Sequence, residues 1–409
     1  LAAGVRVRPE PFGYVAYVGD RDHFFAVDRA GARVLDAVLL GAPVAAPDAP
    51  VARVLARFGI LASADEPPAF HHGVSLLGAF DGVPPVARPL VVNCFVTGGC
   101  PLRCRYCYAD DLMRPASDHD PDADPALVAA TAAAVPAMVA VLTGGEPLFR
   151  PGATAALIDR MAGRAALVLD TSGVGDLDAL LPTLLARRVH LRVSLDSHDA
   201  RRNDRLRPLA GRHRDLPPSS VAARETLRRA AAAGVATTVQ TVVTSANDDP
   251  DALRRLRDDL IGAGVRNWVL HALVPAGKAA DPRNAALRPA ATVRHTLADL
   301  VRDTTMAELP LNIRATATDS AANSALIIGG RGDLYVEGDH GGKVRIAGPG
   351  DPADSVLSAL APHVSPAGLA GRYLNGSIQA LGPGLVATAL TGAGGRDGDR
   401  AQRGRHSIQ

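Results

Sequence analysis

The stretch Leu90-Val-Val-Asn-Cys-Phe-Val-Thr-Gly-Gly-Cys100-Pro-Leu-Arg-Cys104-Arg-Tyr-Cys107 decides how the chain is read. Residues 90–96 form an apolar run with the length and β-branched content of a buried strand. The spacing CxxxCxxC follows at once. Three thiolates on one short loop can bind three irons of a cubane and leave the fourth iron open to an exogenous chelator. Zinc and a trio of buried thiols are the other readings. Zinc ordinarily asks for a fourth Cys or His at comparable spacing. Cys94 lies inside the strand and is expected to face the core. All four cysteines fall between Cys94 and Cys107. A disulfide framework would spread them along the chain, so the cluster points to a metal site in a reducing cytosol.

Strand-like and helix-like stretches alternate from residue 90 to about 280. Strands are expected at 90–96, 138–142, 165–169, 190–195, 236–243 and 267–273. Helices are expected at 125–134, 153–161, 177–186, 221–232 and 251–261. Six such repeats imply a parallel sheet, open or curled into a partial barrel. In such folds the chemistry gathers at the C-terminal strand ends. The polar motifs sit where this rule wants them. Thr143-Gly144-Gly145-Glu146-Pro147 follows the second strand, and Asp170-Thr171-Ser172-Gly173 the third. Ser194-Leu195-Asp196 closes the fourth, with Asn203 and Arg207 just beyond. Thr241-Val-Val-Thr244 with Asn247 ends the fifth, and Pro275-Ala-Gly277-Lys278-Ala279 follows the sixth.

CxxxCxxC with Tyr106 before the last cysteine and Tyr108 after it resembles the radical S-adenosylmethionine (SAM) signature. The later motifs are similar to that family's elements, in the family's order, from about residue 90 to 280. The resemblance implies an iron–sulfur oxidoreductase with one [4Fe–4S] cluster on Cys100, Cys104 and Cys107. It implies SAM contacts from Tyr106, Gly144, Gly145, Glu146, Thr171, Ser194, Asp196 and Arg207. Glu146 would accept hydrogen bonds from the methionine ammonium. Ser172 stands where relatives often carry Asn. The implied reaction is reductive cleavage of SAM to a 5′-deoxyadenosyl radical that abstracts hydrogen from the substrate.

Two flanks add to this. Val7-Arg-Pro-Glu-Pro-Phe-Gly13, with strand-like runs at 5–8, 14–18 and 23–27 and helices at 30–40 and 51–58, resembles PqqD-like precursor-recognition domains. Such a domain takes an extended leader peptide onto a sheet edge. Residues 324–361 read as strand, turn, strand and short helix, which looks like a SPASM scaffold. No cysteine follows Cys107, so cysteine-bound auxiliary clusters are excluded there. The expected fold is α/β: a partial (β/α)6 TIM-like barrel, a small N-terminal winged-helix-like α+β domain and a C-terminal α+β extension. The expected division is 1–75 recognition domain, 76–89 linker, 90–290 radical SAM core, 291–390 degenerate SPASM-like extension and 391–409 disordered tail.

Composition narrows the function. The chain has 409 residues, 47% hydrophobic and 21% charged, with a net charge of +2. That balance leaves no footprint for nucleic acid. No apolar run is long enough to span a bilayer, and nothing at the start reads as a signal peptide. A cytoplasmic enzyme is expected, with no membrane and no nucleic-acid partner. As the resemblance implies, its substrate is a ribosomally synthesised precursor peptide (RiPP), with the leader held by the N-terminal domain. The electron comes from an external donor such as flavodoxin or ferredoxin. Two alternatives stand beside this: a radical SAM enzyme acting on a small metabolite, and a non-catalytic peptide-binding chaperone. Crosslinking, epimerisation and bond cleavage stay open as the reaction.

Overall fold

The computed structural model describes residues 1–63, 70, 72–76, 88–110, 112, 123–273, 276–317, 326–337, 343–360 and 378–381. The chain starts with an antiparallel meander, β1 (Val5–Glu10), β2 (Gly13–Val18) and β3 (His23–Val27), followed by α1 (Arg29–Leu39) and α2 (Ala49–Arg57). Side chains alternate across a strand, and here both faces are apolar. Ala16, Val18, Phe25 and Val27 pack under Leu35 of α1 and Leu55 of α2. Val15, Tyr17, Phe24 and Ala26 face the other way.

Beyond β4 (His72–Leu76) comes the main alternation. Its strands are β5 (Val91–Thr97), β6 (Val139–Gly144), β7 (Ala166–Thr171), β8 (His190–Ser194), β9 (Thr237–Val243), β10 (Asn267–Ala272) and β11 (Asn312–Ala317). Between them run α3 (Pro125–Ala134), α4 (Pro151–Met161), α5 (Leu181–Ala186), α6 (Ala200–Leu206), α7 (Ser219–Ala233), α8 (Pro250–Gly262) and α9 (Val293–Met306). Asp-Pro pairs open α3 and α8. Asp124 caps the backbone N–H groups of Ala126 and Leu127, and Asp249 caps that of Asp251. An acceptor at the cap and a proline in the first turn is the composition a helix start favours. The chain then adds β12 (Ile327–Ile328), β13 (Leu334–Glu337), β14 (Lys343–Ala347), α10 (Ala353–Leu360) and β15 (Ile378–Leu381).

The main sheet runs β14-β13-β12-β5-β6-β7-β8-β9-β10-β11-β4, parallel from β12 to β4. Side chains from β5 through β12 line one cavity, so the sheet curls around it as a TIM-like partial barrel. The helices cover its outer face, burying among others Leu157, Leu227, Leu256 and Trp268.

The six expected strands are present. Three features depart from the sequence reading. The sheet does not stop near residue 290, because β11 continues it. Residues 72–76, expected where the recognition domain meets the linker, form its far edge strand, parallel to β11. The helix expected over 177–186 shortens to Leu181–Ala186, where Pro182 sets its first turn. The tail expected over 391–409 lies outside the described residues. The strand, turn, strand and short helix expected near 324–361 correspond to β12, β13, β14 and α10.

The N-terminal sheet is not a free module. Its second face packs on Leu90, Val91, Met138, Val139, Val141 and Val168, at or near the N-terminal ends of the barrel strands. Arg8, buried, donates to the carbonyls of Arg88, Pro89 and Pro136 at 2.8, 2.7 and 3.1 Å. Those are backbone acceptors left over where the barrel begins. The meander closes the barrel floor.

Candidate active site

The cysteine loop follows β5 and is braced by three other loops. Glu146 N donates to Gly99 O at 2.9 Å and Gly145 N to Thr97 O at 2.8 Å. Arg103 N reaches Pro208 O at 2.7 Å, and Lys278 N reaches Cys107 O at 2.9 Å. A Cβ on Gly145 would stand 1.8 Å from Gly99 O. One on Gly277, at φ +56°, would stand 2.3 Å from Cys107 O. These two glycines are needed because backbone meets backbone there. Gly144 and Gly145 are expected SAM contacts, and Gly145 also abuts the chain's own cysteine loop. Both also line the cavity.

Cys100 is buried, and Cys104 and Cys107 are half-buried. Burial pushes all three thiols up, Cys107 to about 12, and at Cys100 and Cys107 repulsion from the Cys104 sulfur adds to it. Arg207, 4.0 Å from the Cys104 sulfur, opposes this at Cys104. Thiolates held this way call for cationic metal. Among the described residues no three His, Cys, Asp or Glu side chains close on a single point as one-ion ligands do. In a cubane each thiolate takes its own iron, so the trio need not converge. Cys94 sits in the core on β5, its thiol also pushed to about 12 by burial.

Above the cysteines lies a cavity of about 350 Å³. Tyr106, Gly144, Gly145, Glu146, Thr171, Ser194 and Arg207 all line it. Of the expected SAM contacts, Asp196 alone does not. Its carboxylate accepts from Arg207 Nε at 2.6 Å, from Val242 N at 2.9 Å and from the Tyr106 hydroxyl. Its backbone N–H and C=O are taken by Asn203 and Asn247. Asp196 is thus a post that fixes Arg207 and Tyr106. Burial opposes the charge on Arg207, yet Asp196 and its neighbours hold its pKa well above the ordinary value. The Arg207 guanidinium also lies 5.3 Å from the Tyr106 ring centroid.

Glu146 is buried, and its four acceptor positions are met. Leu148 N donates at 3.0 Å and Ser172 N at 2.7 Å, and the hydroxyls of Thr171 and Ser172 also donate. Burial raises its pKa and these bonds restrain the rise. Ser172, the departure from the family pattern, has a clear task here: it holds Glu146. An arriving ammonium would exchange with one of the two hydroxyl bonds, which rotate freely.

The chain's two lysines both reach the segment after Cys107. Lys278 pairs with Asp110 at 3.0 Å, and Lys343 donates to Tyr108 O at 3.1 Å with its ammonium 4.0 Å from the Tyr108 ring centroid. Only the fold brings position 343 there.

The lower wall was not legible in the sequence. Asp22, at the β2–β3 turn, enters the cavity floor and accepts from Arg192 Nε and Nη2 at 2.6 and 2.7 Å. Arg314 of β11 approaches the same carboxylate at 3.5 Å. Asp170 accepts from Gln240 at 3.0 Å, and burial pushes it up to about 6. The one available signal was a charge in the middle of each of two apolar strands, at Arg192 and Arg314, since such a charge is costly unless paired.

Residues 94–258 match the family described as the Radical SAM superfamily. The fold is similar to SuiB of Streptococcus suis bound to precursor peptide SuiA: TM-score 0.51, 12% identity, 81% of this chain and 82% of that one. SuiB bound to S-adenosylmethionine gives TM-score 0.51 and 13% identity over 82% and 81%. Native anSMEcpe with bound AdoMet gives TM-score 0.50 and 12% identity over 66% and 80%. At such identities the likeness is one of fold. No curated protein sequence matches. Residues 94–258 thus carry a radical SAM domain, the kind that works with a [4Fe–4S] cluster and SAM.

Proposed function

We propose that this enzyme modifies a ribosomally made precursor peptide. Cys100, Cys104 and Cys107 hold the cluster, and the residues above them seat SAM. Together, cluster and SAM supply one-electron cleavage of the sulfonium and a carbon radical able to take hydrogen from an unactivated carbon. The protein's own part is to brace the cysteine loop, hold Arg207 and Glu146 in place, and keep the cavity walls packed. A carrier such as flavodoxin or ferredoxin brings the electron, in the cytoplasm, where the clustered cysteines stay reduced.

One observation carries the peptide reading. The outer edge of β3 already takes an extended strand: Ile378–Leu381 pairs with it in parallel, from Phe24 to Val27. A leader peptide adding to that edge would use the same backbone hydrogen bonds. The SuiB structure bound to its precursor peptide has a similar fold. Within residues 1–75 the meander with α1 and α2 is then the recognition domain, and the strands after β11 a lid of SPASM-like kind without clusters.

A second reading, action on a small metabolite, is favoured by the closed, charged floor. Both are tested with anaerobic full-length protein, SAM, a reductant and a precursor peptide encoded nearby. A mass change that needs the leader, with 5′-deoxyadenosine formed in step, supports the peptide reading. Equal modification of a leaderless peptide, or none, refutes it. About four irons per chain are expected. No membrane-crossing helix is found among the described residues.

A further inference from the structure

The two arginines on the cavity floor are not equivalent. Arg192 is saturated: two short bonds to Asp22, and Asp170 at 3.6 Å. Burial opposes its charge, but these carboxylates more than offset it. Arg314 has only a share of Asp22, at 3.5 Å, and its Nη1 lies 3.0 Å from Nδ1 of His23. There burial prevails and the pKa is lowered.

A guanidinium carries five donors in a fixed fork. Among the described residues, Arg314 makes no ion pair other than that with Asp22. Its side chain is 10% exposed and lines the cavity. The floor's two carboxylates, Asp22 and Asp170, both turn chiefly to Arg192. Burial lowers His190 and His271 to about 4, so both are neutral at pH 7. Asp170 is turned to Gln240 and Arg192. A buried guanidinium whose carboxylate contact is long and shared with Arg192, and which faces a space shared with the cysteines, has donors left to receive an anion.

We propose that Arg314, with Arg192 beside it, receives a carboxylate of the substrate and anchors it at the floor, so that the reacting carbon faces the cysteine rim. Asp22 is the positioning residue: it orients Arg192 and competes for Arg314. The N-terminal domain thereby takes part in substrate selection inside the barrel as well as at its own sheet edge. This rests on the reading that the cavity takes a substrate beside SAM.

The test uses the anaerobic full-length holoenzyme with SAM and three probes. N-acetylglutamate N-methylamide carries a side-chain carboxylate, N-acetylglutamine a terminal one, and N-acetylglutamine N-methylamide none. Dissociation constants are read by saturation-transfer NMR. At least one acid is expected to bind about tenfold more tightly than the neutral probe, as a charge-assisted forked pair allows. Which acid wins tells whether a side chain or a chain terminus is read. Arg314→Gln should remove the preference and Arg314→Lys retain part of it. Asp22→Asn should enlarge it, a gain that misfolding cannot imitate. Equal binding of all three probes, or a preference that survives Arg314→Gln, overturns the inference. Formation of 5′-deoxyadenosine by the unaltered enzyme, measured alongside, keeps the outcomes separate. SAM cleavage without acid preference sinks only the carboxylate site; absent SAM cleavage sinks the radical reading itself.

Discussion

The rim and the floor of the barrel are built on opposite principles. At the rim, short loops in sequence order converge on one another, and each carries its polar residue next to the strand that delivers it. At the floor, the polar residues come from β8, β11 and the turn between β2 and β3, separated by 170 positions between Asp22 and Arg192. The rim positions chemistry by backbone contact. The floor does it by ion pairs between side chains that only the closed fold brings together. One lesson concerns the N-terminal domain. A leader-binding module is ordinarily tested by removing it, but here removal uncovers the apolar underside of the barrel. Truncation therefore tests folding, and point changes are needed to test recognition.

The comparison can be broken most sharply at the rim. Cys104→Ala should abolish 5′-deoxyadenosine formation and the SAM-dependent change in the reduced cluster's spectrum, while the far-UV circular dichroism stays that of the parent. Survival of SAM cleavage would remove the cysteine trio from its assigned place.

The next effects are on stability. Tyr17→Ala removes a fully buried ring from the floor interface and should lower unfolding free energy by about 3–5 kcal/mol, read by chemical denaturation. A loss below about 1 kcal/mol would mean that the sheet does not seal the barrel. Asp196→Asn leaves Arg207 buried without its counter-charge. A loss of about 3–5 kcal/mol is expected, together with weaker SAM binding. Unchanged SAM affinity would show that Arg207 and Tyr106 do not need this post.

A smaller effect concerns the β3 edge. Gln379→Pro deletes a backbone donor from the strand that occupies it. Leader-peptide affinity should rise several-fold, by fluorescence anisotropy, as the segment gives way. Weaker or unchanged binding would place the leader elsewhere.

The smallest effect is a pH slope. Asp170 is raised by burial from 3.8 to about 6. Its contribution to stability is complete below its unfolded value and is lost as pH rises through 6. Burial lowers His190 and His271 to about 4, so theirs is present above 6.5 and lost as pH falls towards 4. The two slopes oppose each other between about pH 4 and 6. Asp170→Asn removes one of them, so stability should then climb more steeply with pH over that window. An unaltered slope would place Asp170 outside this balance.

The barrel alternation, the cysteine motif and the order of the polar loops were legible in the sequence. Strand and helix periodicity, Asp-Pro helix starts and fixed cysteine spacing are local signals, complete within a few residues. It did not show that Ser172 serves Glu146, that Asp196 serves Arg207, or that Lys343 reaches Tyr108. Nor did it place β11 and β4 in the sheet, because each is a short strand whose partner is distant in sequence. The two-faced apolar meander could be read as strands, but not as a plug. Which surface its second face covers, and which arginines meet Asp22, are matters of long-range packing. That was decided only when apolar faces and unpaired charges found the one arrangement that buries the first and neutralises the second.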